Sequence, residues 1–197
     1  ATAGFWTYAL SVIINGPLAD KIGGKKAILL GALGSTIVNL IVGLLFLNGW
    51  QTKIILGMSL LYSANQYFQS FGALSVVKVN SSWFHVKERG VFGGIFGIMI
   101  SSGYFLALTV GGYILSLLPW YYVFLIPAGF IFIMFVIDTF LVKDKPSQAG
   151  YNDFNTGDAS SNDPEKDKPV DWGYLLKKVF TNPIIITIMV AEFCTGF

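Results

Sequence analysis

The chain has 197 residues, of which 54% are hydrophobic and only 12% are charged. This balance is typical of a membrane protein and excludes an ordinary soluble globular domain. The single cysteine, Cys194, excludes an intrachain disulfide.

Six apolar stretches have the character of membrane helices, which need about 20 residues to cross a bilayer. They cover residues 1–19, 27–47, 54–77, 91–116, 119–142 and 183–197, and the last is cut short. Ala1 opens inside an apolar run, so the chain is expected to be a fragment truncated at both ends. The expected fold class is all-α, a polytopic membrane helix bundle.

Positive charge is concentrated in alternate loops. Only Lys53 among the 13 Lys and Arg residues falls in an opposite loop. The positive-inside rule therefore predicts that loops 20–26, 78–90 and 143–182 face the cytoplasm and that the helices alternate in direction. The basic residues that follow the first, third and fifth spans are Lys21, Lys25, Lys26, Lys78, Lys87, Arg89, Lys143, Lys145, Lys166, Lys168, Lys177 and Lys178.

The first of these loops is predicted to be a tight hairpin over residues 16–26. Asp20 follows the end of a helix, where the helix dipole disfavours an anion, so it is expected to need a cationic partner or the start of another helix. Gly16 and Gly23 permit close backbone approach and a tight turn. The lysines that hold the loop in the cytoplasm are Lys21, Lys25 and Lys26.

The spacing G-x-x-x-D-K-x-G-x-K-K in this loop resembles the signature between the second and third helices of the major facilitator superfamily. It is formed by Gly16, Asp20, Lys21, Gly23, Lys25 and Lys26. The resemblance implies a twelve-helix transporter with two six-helix domains, of which this chain covers helix two to early helix seven. It also implies that Asp20 helps to lock the outward-facing state against the remaining helices of the parent chain.

A second stretch, "YFQSFGALSVVKVNSSWFHVKERG" at residues 67–90, resembles the helix-four to helix-five segment of organophosphate:phosphate antiporters. These are the glycerol-3-phosphate and hexose-phosphate transporters. The implied organisation is an N-terminal transmembrane domain at 1–142, a cytoplasmic linker at 143–182 and the start of helix seven at 183–197. The first part of the linker, residues 143–170, is polar and turn-rich, which predicts partial disorder. The linker is also expected to contain a short amphipathic helix, either on the membrane surface or packed on the bundle.

Candidate substrate contacts lie in the first, third and last spans. Polar side chains inside a membrane helix are costly unless they face partners or water, which singles out Tyr62, Asn65, Gln66 and Gln69. The resemblance implies that Gln69 lies near substrate and that Tyr8 faces the phosphate site. Hydrogen bonding between helices explains Asn65 and Gln66 equally well.

Glu192 lies about nine residues, or ~13 Å, into the last helix. A carboxylate at that depth is expected to couple protons, contact substrate or form a structural pair. Val12 and Ile100 stand where the phosphate transporters carry a lysine and a histidine. This departure leaves open a proton-coupled carrier of another organic anion in which Glu192 titrates.

The expected cytoplasmic gate contains the first-loop signature and the loop residues Lys87, Glu88 and Arg89. Asp20 is expected to act in this gate with Lys21, Lys25 or Arg89. No enzyme is expected, because the lone His85 has no second imidazole or thiol beside it for a metal or nucleophilic site.

The function expected is secondary active transport of an organic phosphate ester or related anion, by phosphate-exchange antiport with alternating access. A transporter-like sensor of sugar phosphate is the alternative outside transport. The expected partners are a small anionic substrate and the lipid bilayer, without a cofactor, metal or nucleic acid. The expected location is the bacterial inner membrane.

Overall fold

The structure is a computed structural model that describes residues 2–157 and 172–195, without the side chains at 172, 174–176, 178, 192, 193 and 195. The chain forms two compact units, Ala1–Asp158 and Ala159–Phe197. Every regular element in the described ranges is a helix, so the all-α prediction is confirmed.

Five long helices make up most of the first unit as described. They are α1 (Thr2–Ile22), α2 (Gly24–Leu47), α3 (Ile54–Trp83), α4 (Arg89–Leu117) and α5 (Tyr122–Leu141). A short 3-10 helix follows α5 at Pro146–Ala149. The second unit contains α6 (Trp172–Thr181) and α7 (Pro183–Thr195).

Within the described residues, α2, α4 and α5 are long and apolar enough to cross a membrane. Helices α1 and α3 have 21 and 30 residues but mix polar side chains into their apolar runs. The outward surfaces of α4 and α5 are strongly apolar, since Phe105, Leu108 and Phe140 are 67%, 79% and 72% exposed. Apolar side chains presented on this scale suit contact with lipid or other helices rather than water.

Helix α3 is central, because it packs against both α1 and α2, and α2 also packs against α5. Small residues allow the close approach of α2 to α3. A Cβ added at Gly31 would lie 2.9 Å from the Phe68 carbonyl oxygen, and one at Gly34 would overlap the Phe68 ring. Beside this contact, the fully buried Phe71 packs against Ala19 and Ala27.

Aromatic side chains gather at one end of the bundle, where α2 leads into α3 and α4 into α5. The rings of Phe46 and Trp120 are 4.3 Å apart between centroids, and those of Phe46 and Trp50 are 5.5 Å apart. Such amphipathic rings favour the headgroup region. The charged junctions of the chain lie at the opposite end of these helices.

The predicted hairpin at 16–26 was wrong, because most of it is helical. Helix α1 continues through Asp20 to Ile22, and α2 begins at Gly24. Gly23 alone separates them, with φ of 93°, a backbone angle that glycine adopts without strain. Gly16 is not needed for close approach, since an added Cβ there would meet no described atom within 4 Å.

The start of the predicted linker is folded rather than disordered. Val86 donates its N–H to the Thr156 carbonyl oxygen at 2.9 Å, and Trp83 Nε1 donates to the Lys143 carbonyl oxygen at 2.9 Å. These bonds attach residues 143–157 to the end of α3 and its following loop. The remainder of the predicted disordered segment, 158–170, lies outside the described residues.

Candidate functional site

A chain of amide hydrogen bonds joins α3 to α2, and we call it the amide ladder. Gln69 Nε2 donates to Asn65 Oδ1 at 3.2 Å, and Asn65 Nδ2 approaches Asn39 Oδ1 at 3.5 Å. Asn39 Nδ2 donates in turn to the Ser35 carbonyl oxygen at 2.9 Å. Because Asn65 and Gln69 are one helical turn apart, they share a face of α3. The sequence analysis did not select Asn39, although it is a polar residue in an otherwise apolar span.

Tyr62 and Gln66 form a second polar pair on α3. Gln66 Nε2 donates to the Tyr62 hydroxyl at 3.2 Å. Both pack on α1 at Gly4, where an added Cβ would overlap the Tyr62 ring and lie 3.2 Å from Gln66 Cγ. Tyr8, also on α1, is half-buried, and no hydrogen bond joins it to the amide ladder within the described ranges.

Asn15 of α1 is a buried polar residue that the sequence analysis passed over. Its Nδ2 donates to Ser70 Oγ at 2.8 Å and to the Tyr67 carbonyl oxygen at 3.2 Å. The side chain is fully buried. It therefore cross-links α1 to the middle of α3, two residues before Pro17 interrupts the backbone hydrogen bonds of α1.

Asp20 pairs with Lys78 of α3. Lys78 Nζ lies 2.9 Å from Asp20 Oδ1 and also donates to the Ala19 carbonyl oxygen at 3.1 Å. The prediction of a cationic partner for Asp20 is supported, and that partner is Lys78 rather than one of the residues expected to act with Asp20 in gating, which are Lys21, Lys25 and Arg89. The reason is geometric: the last turn of α1 faces α3, whereas Lys25 begins the next helix and points towards α5.

Lys25 makes two short bonds at the start of α2. Its backbone N–H donates to Asp144 Oδ1, and its Nζ donates to the Thr139 carbonyl oxygen, both at 2.6 Å. The first bond satisfies one of the free N–H groups at the start of α2, and the second satisfies a free carbonyl at the end of α5. Both charges also have the favourable sign for the helix dipole beside them.

A cleft of about 290 Å³ opens at the charged end of the bundle. The Asp20–Lys78 pair and Asp144 line it, together with the exposed Lys21. Lys26 is exposed as well, one residue beyond Lys25. The other lining residues are Ile22, Gly23, Gly24, Val79, Ser82, Lys145 and Gln148.

The remaining predicted gating residues shape the loop between α3 and α4. Glu88 Oε2 accepts the His85 backbone N–H at 3.0 Å. Arg89 Nη2 donates to the Ser81 carbonyl oxygen at 2.9 Å, joining the start of α4 to the last turn of α3. Lys87 is exposed, and its backbone N–H donates to His85 Nδ1 at 3.2 Å.

Glu192 belongs to the backbone of α7, but its side chain lies outside the described residues. Asp171, whose place before the amphipathic helix predicts an N-cap, also lies outside the described residues. In the part of the chain that the structure describes, no group of three or more His, Cys, Asp or Glu side chains could hold a metal ion.

The polar face inside an apolar bundle and the charged junction between α1 and α2 can now be compared with known proteins. The sequence profile of the Major Facilitator Superfamily matches residues 1–197. The chain belongs to this superfamily. It is therefore an integral membrane protein of a transporter family.

Two curated relatives show low similarity. The chain is 26% identical over 151 residues to the Arabidopsis thaliana protein named "Putative glycerol-3-phosphate transporter 5", covering 75% of this chain and 29% of that protein. It is 24% identical over 90 residues to "Membrane sensor protein UhpC" of Salmonella typhimurium, covering 46% of this chain and 19% of that protein. This superfamily member thus spans less than a third of the length of either relative.

Proposed function

We propose that this chain belongs to a secondary active transporter that exchanges an organic phosphate ester, or a related organic anion, for inorganic phosphate. The amide ladder is the observation that carries the proposal. Gln69 is exposed and uses one N–H on Asn65, which leaves a second N–H and a carbonyl oxygen for a ligand. Hydrogen-bond donors of this kind suit the oxygen atoms of a phosphate group.

The Asp20–Lys78 pair at the charged end of the bundle supports a gating role. Asp20 is 74% exposed and Lys78 34% exposed at the side chain. An ion pair this exposed contributes at most about 1 kcal/mol, so it can open and close at small cost during alternating access. In the proposed cycle the Asp20–Lys78 pair is made and broken at the cytoplasmic end, while the face around Gln69 and Tyr8 contacts the substrate.

The two relatives support two different outcomes for such a site. One is named as a glycerol-3-phosphate transporter, which favours phosphate-ester exchange. The other is named as a membrane sensor, which favours a protein that binds sugar phosphate and signals without moving it. Glu192 supports a third outcome, proton-coupled uptake of another anion, because a carboxylate within a membrane helix is suited to proton coupling.

The test uses the full-length protein in proteoliposomes loaded with inorganic phosphate. Uptake of labelled glycerol-3-phosphate and glucose-6-phosphate is measured with and without the internal phosphate. The proposal predicts uptake of one ester that stops when phosphate is omitted. Uptake driven by a pH gradient without internal phosphate would favour proton coupling, and saturable binding without uptake would favour a sensor.

The proposed location is a bacterial inner membrane, with 20–26, 78–90 and 143–182 on the cytoplasmic side. Support comes from the charge distribution and from the bundle, in which the ends of α1, α3 and α5 and the start of α2 lie together. Impermeant thiol labelling of Ser82→Cys against Gln51→Cys in intact cells tests this orientation. Labelling of position 51 alone is expected, and labelling of position 82 alone would reverse it.

A further inference from the structure

Helices α1 and α2 are joined by Gly23 and have little other contact, since α1 packs mainly on α3 while α2 packs on α3 and α5. We call Gly23 the joint. Near it, each of the two helices is held to a neighbouring helix by polar contacts, which we call a tie. The Asp20–Lys78 pair ties the end of α1 to α3. Lys25 ties the start of α2 to the end of α5.

The second tie is reciprocal, because each helix supplies the cap that the other lacks. Gly23 and Gly24 begin α2 without a side chain to accept the first N–H groups, and Asp144 supplies the acceptor from beyond α5. The ammonium of Lys25 returns to the Thr139 carbonyl in the last turn of α5. We call these two bonds the α2–α5 clasp.

The carboxylate of Asp144 is closely fitted to the joint. A Cβ added at Gly23 would lie 3.2 Å from Asp144 Oδ2, and one at Gly24 would lie 3.1 Å from Oδ1. The Asp144 backbone is also held, because its N–H donates to Gln148 Oε1 at 3.0 Å. The preceding carbonyl, that of Lys143, accepts from Trp83. Asp144 is therefore anchored from both sides while it caps α2.

We propose that Asp144 is a positioning residue for gating: through the α2–α5 clasp it fixes the start of α2 beside the end of α5, and so holds Gly23 and the neighbouring end of α1 in place while the Asp20–Lys78 pair opens and closes. The exposed ion pair is the weak tie and moves. The clasp consists of two charge-assisted bonds between half-buried groups and stays closed. This inference rests on the proposed transport function for its role, but the clasp itself can be measured without substrate.

The test compares hydrogen exchange in the full-length protein in lipid nanodiscs. Asp144→Ala removes the acceptor, and Lys25→Met removes the ammonium while keeping the backbone N–H. Each is expected to speed exchange of the first-turn amides of α2 severalfold. Lys53→Met is the matched control for Lys25, because Lys53 is an exposed lysine at the start of α3 and lies outside the gate. Asp153→Ala is the matched control for Asp144, because Asp153 accepts the Ser147 N–H within its own segment.

Transport provides the second reading. Asp144→Ala is expected to lower the maximal transport rate by about two- to thirtyfold, the usual range for residues that couple distant parts of a protein, with the half-saturation concentration unchanged. Asp144→Asn, which keeps an acceptor oxygen, is expected to recover most of the rate. Lys25→Met keeps the test decisive if Asp144→Ala does not fold.

The possible failures are distinguishable. If Lys25→Met and Asp144→Ala exchange and transport like the two controls, the clasp does not hold the joint and the inference is overturned. If neither the unsubstituted protein nor any variant transports substrate, while hydrogen exchange differs between the variants as expected, the transport proposal fails and the clasp is still supported.

Discussion

Lys78 and Asp20 lie 58 residues apart in the chain, yet the ammonium of Lys78 contacts both the Asp20 carboxylate and the Ala19 carbonyl oxygen. One cation thus neutralises an anion at the unfavourable end of α1 and also satisfies a free backbone acceptor there. The pair links the superfamily signature to α3, the helix that carries the amide ladder.

Breaking this pair is expected to change gating more than stability. Lys78→Met should lower the free energy of unfolding by no more than about 1 kcal/mol, because the pair is largely exposed. It should also shift the fraction of molecules open at the cytoplasmic end, measured by thiol labelling of Ser82→Cys. Lys53→Met, which changes an exposed lysine at the other end of the bundle, is the control. Equal labelling in the two variants would separate Lys78 from the gate.

Gln69→Ala is expected to raise the half-saturation concentration for the phosphate ester about tenfold or more, since a hydrogen bond to a charged group contributes about 1.5–3 kcal/mol. Gln51→Ala changes an exposed glutamine in the loop between α2 and α3 and serves as the control. Initial uptake rates over a range of ester concentrations provide the measurement. A Gln69→Ala variant with unchanged saturation would remove Gln69 from the substrate site.

The buried Asn15 is expected to matter for folding. Asn15→Ala loses its bond to Ser70 and should lower the free energy of unfolding by about 1–3 kcal/mol. Asn80→Ala is the control, because Asn80 bonds only within α3 to the Val76 carbonyl. Chemical unfolding in detergent micelles, followed by tryptophan fluorescence, compares the two. Equal unfolding midpoints would show that the cross-link contributes nothing.

Gly31 is expected to tolerate no side chain. Gly31→Ala would bring a Cβ to 2.9 Å from the Phe68 carbonyl oxygen, a backbone atom that cannot rotate away. Forcing α2 from α3 should cost about 1–3 kcal/mol. Gly129→Ala in α5 meets no described atom within 4 Å and should be neutral or slightly stabilising. The thermal unfolding temperatures of the two variants test this difference, and a stable Gly31→Ala variant would contradict the packing.

The helices could be predicted from sequence because the length of each apolar run indicates the length of the helix that it forms, as in α2 and α5. The partner of Asp20 could not be predicted, since several basic residues are equally plausible until it is known which helix the last turn of α1 faces. Asp144 left a usable signal: a helix that begins at Gly23 and Gly24 has no local cap and must find one elsewhere.

Buried polar residues were harder to predict. The buried Asn15 and the half-buried Asn39 lie in mostly apolar spans, where the sequence does not tell which face of the helix meets another helix. Asn65 and Gln69 were found because several polar residues cluster on α3. The folded part of the linker at 143–157 was not predicted because its composition is polar. Its order comes from contacts with residues distant in the chain, such as the bond from Val86 to Thr156.

The proposed exchange of a phosphate ester for inorganic phosphate can be tested directly by trans-stimulation. Proteoliposomes containing the full-length protein are preloaded with labelled inorganic phosphate, and unlabelled glycerol-3-phosphate or glucose-6-phosphate is added outside. Coupled exchange predicts that one ester accelerates phosphate efflux in proportion to its own entry, and that the Gln69→Ala variant needs more ester for the same effect. Phosphate efflux that neither ester changes, under conditions where either ester still enters, would contradict it.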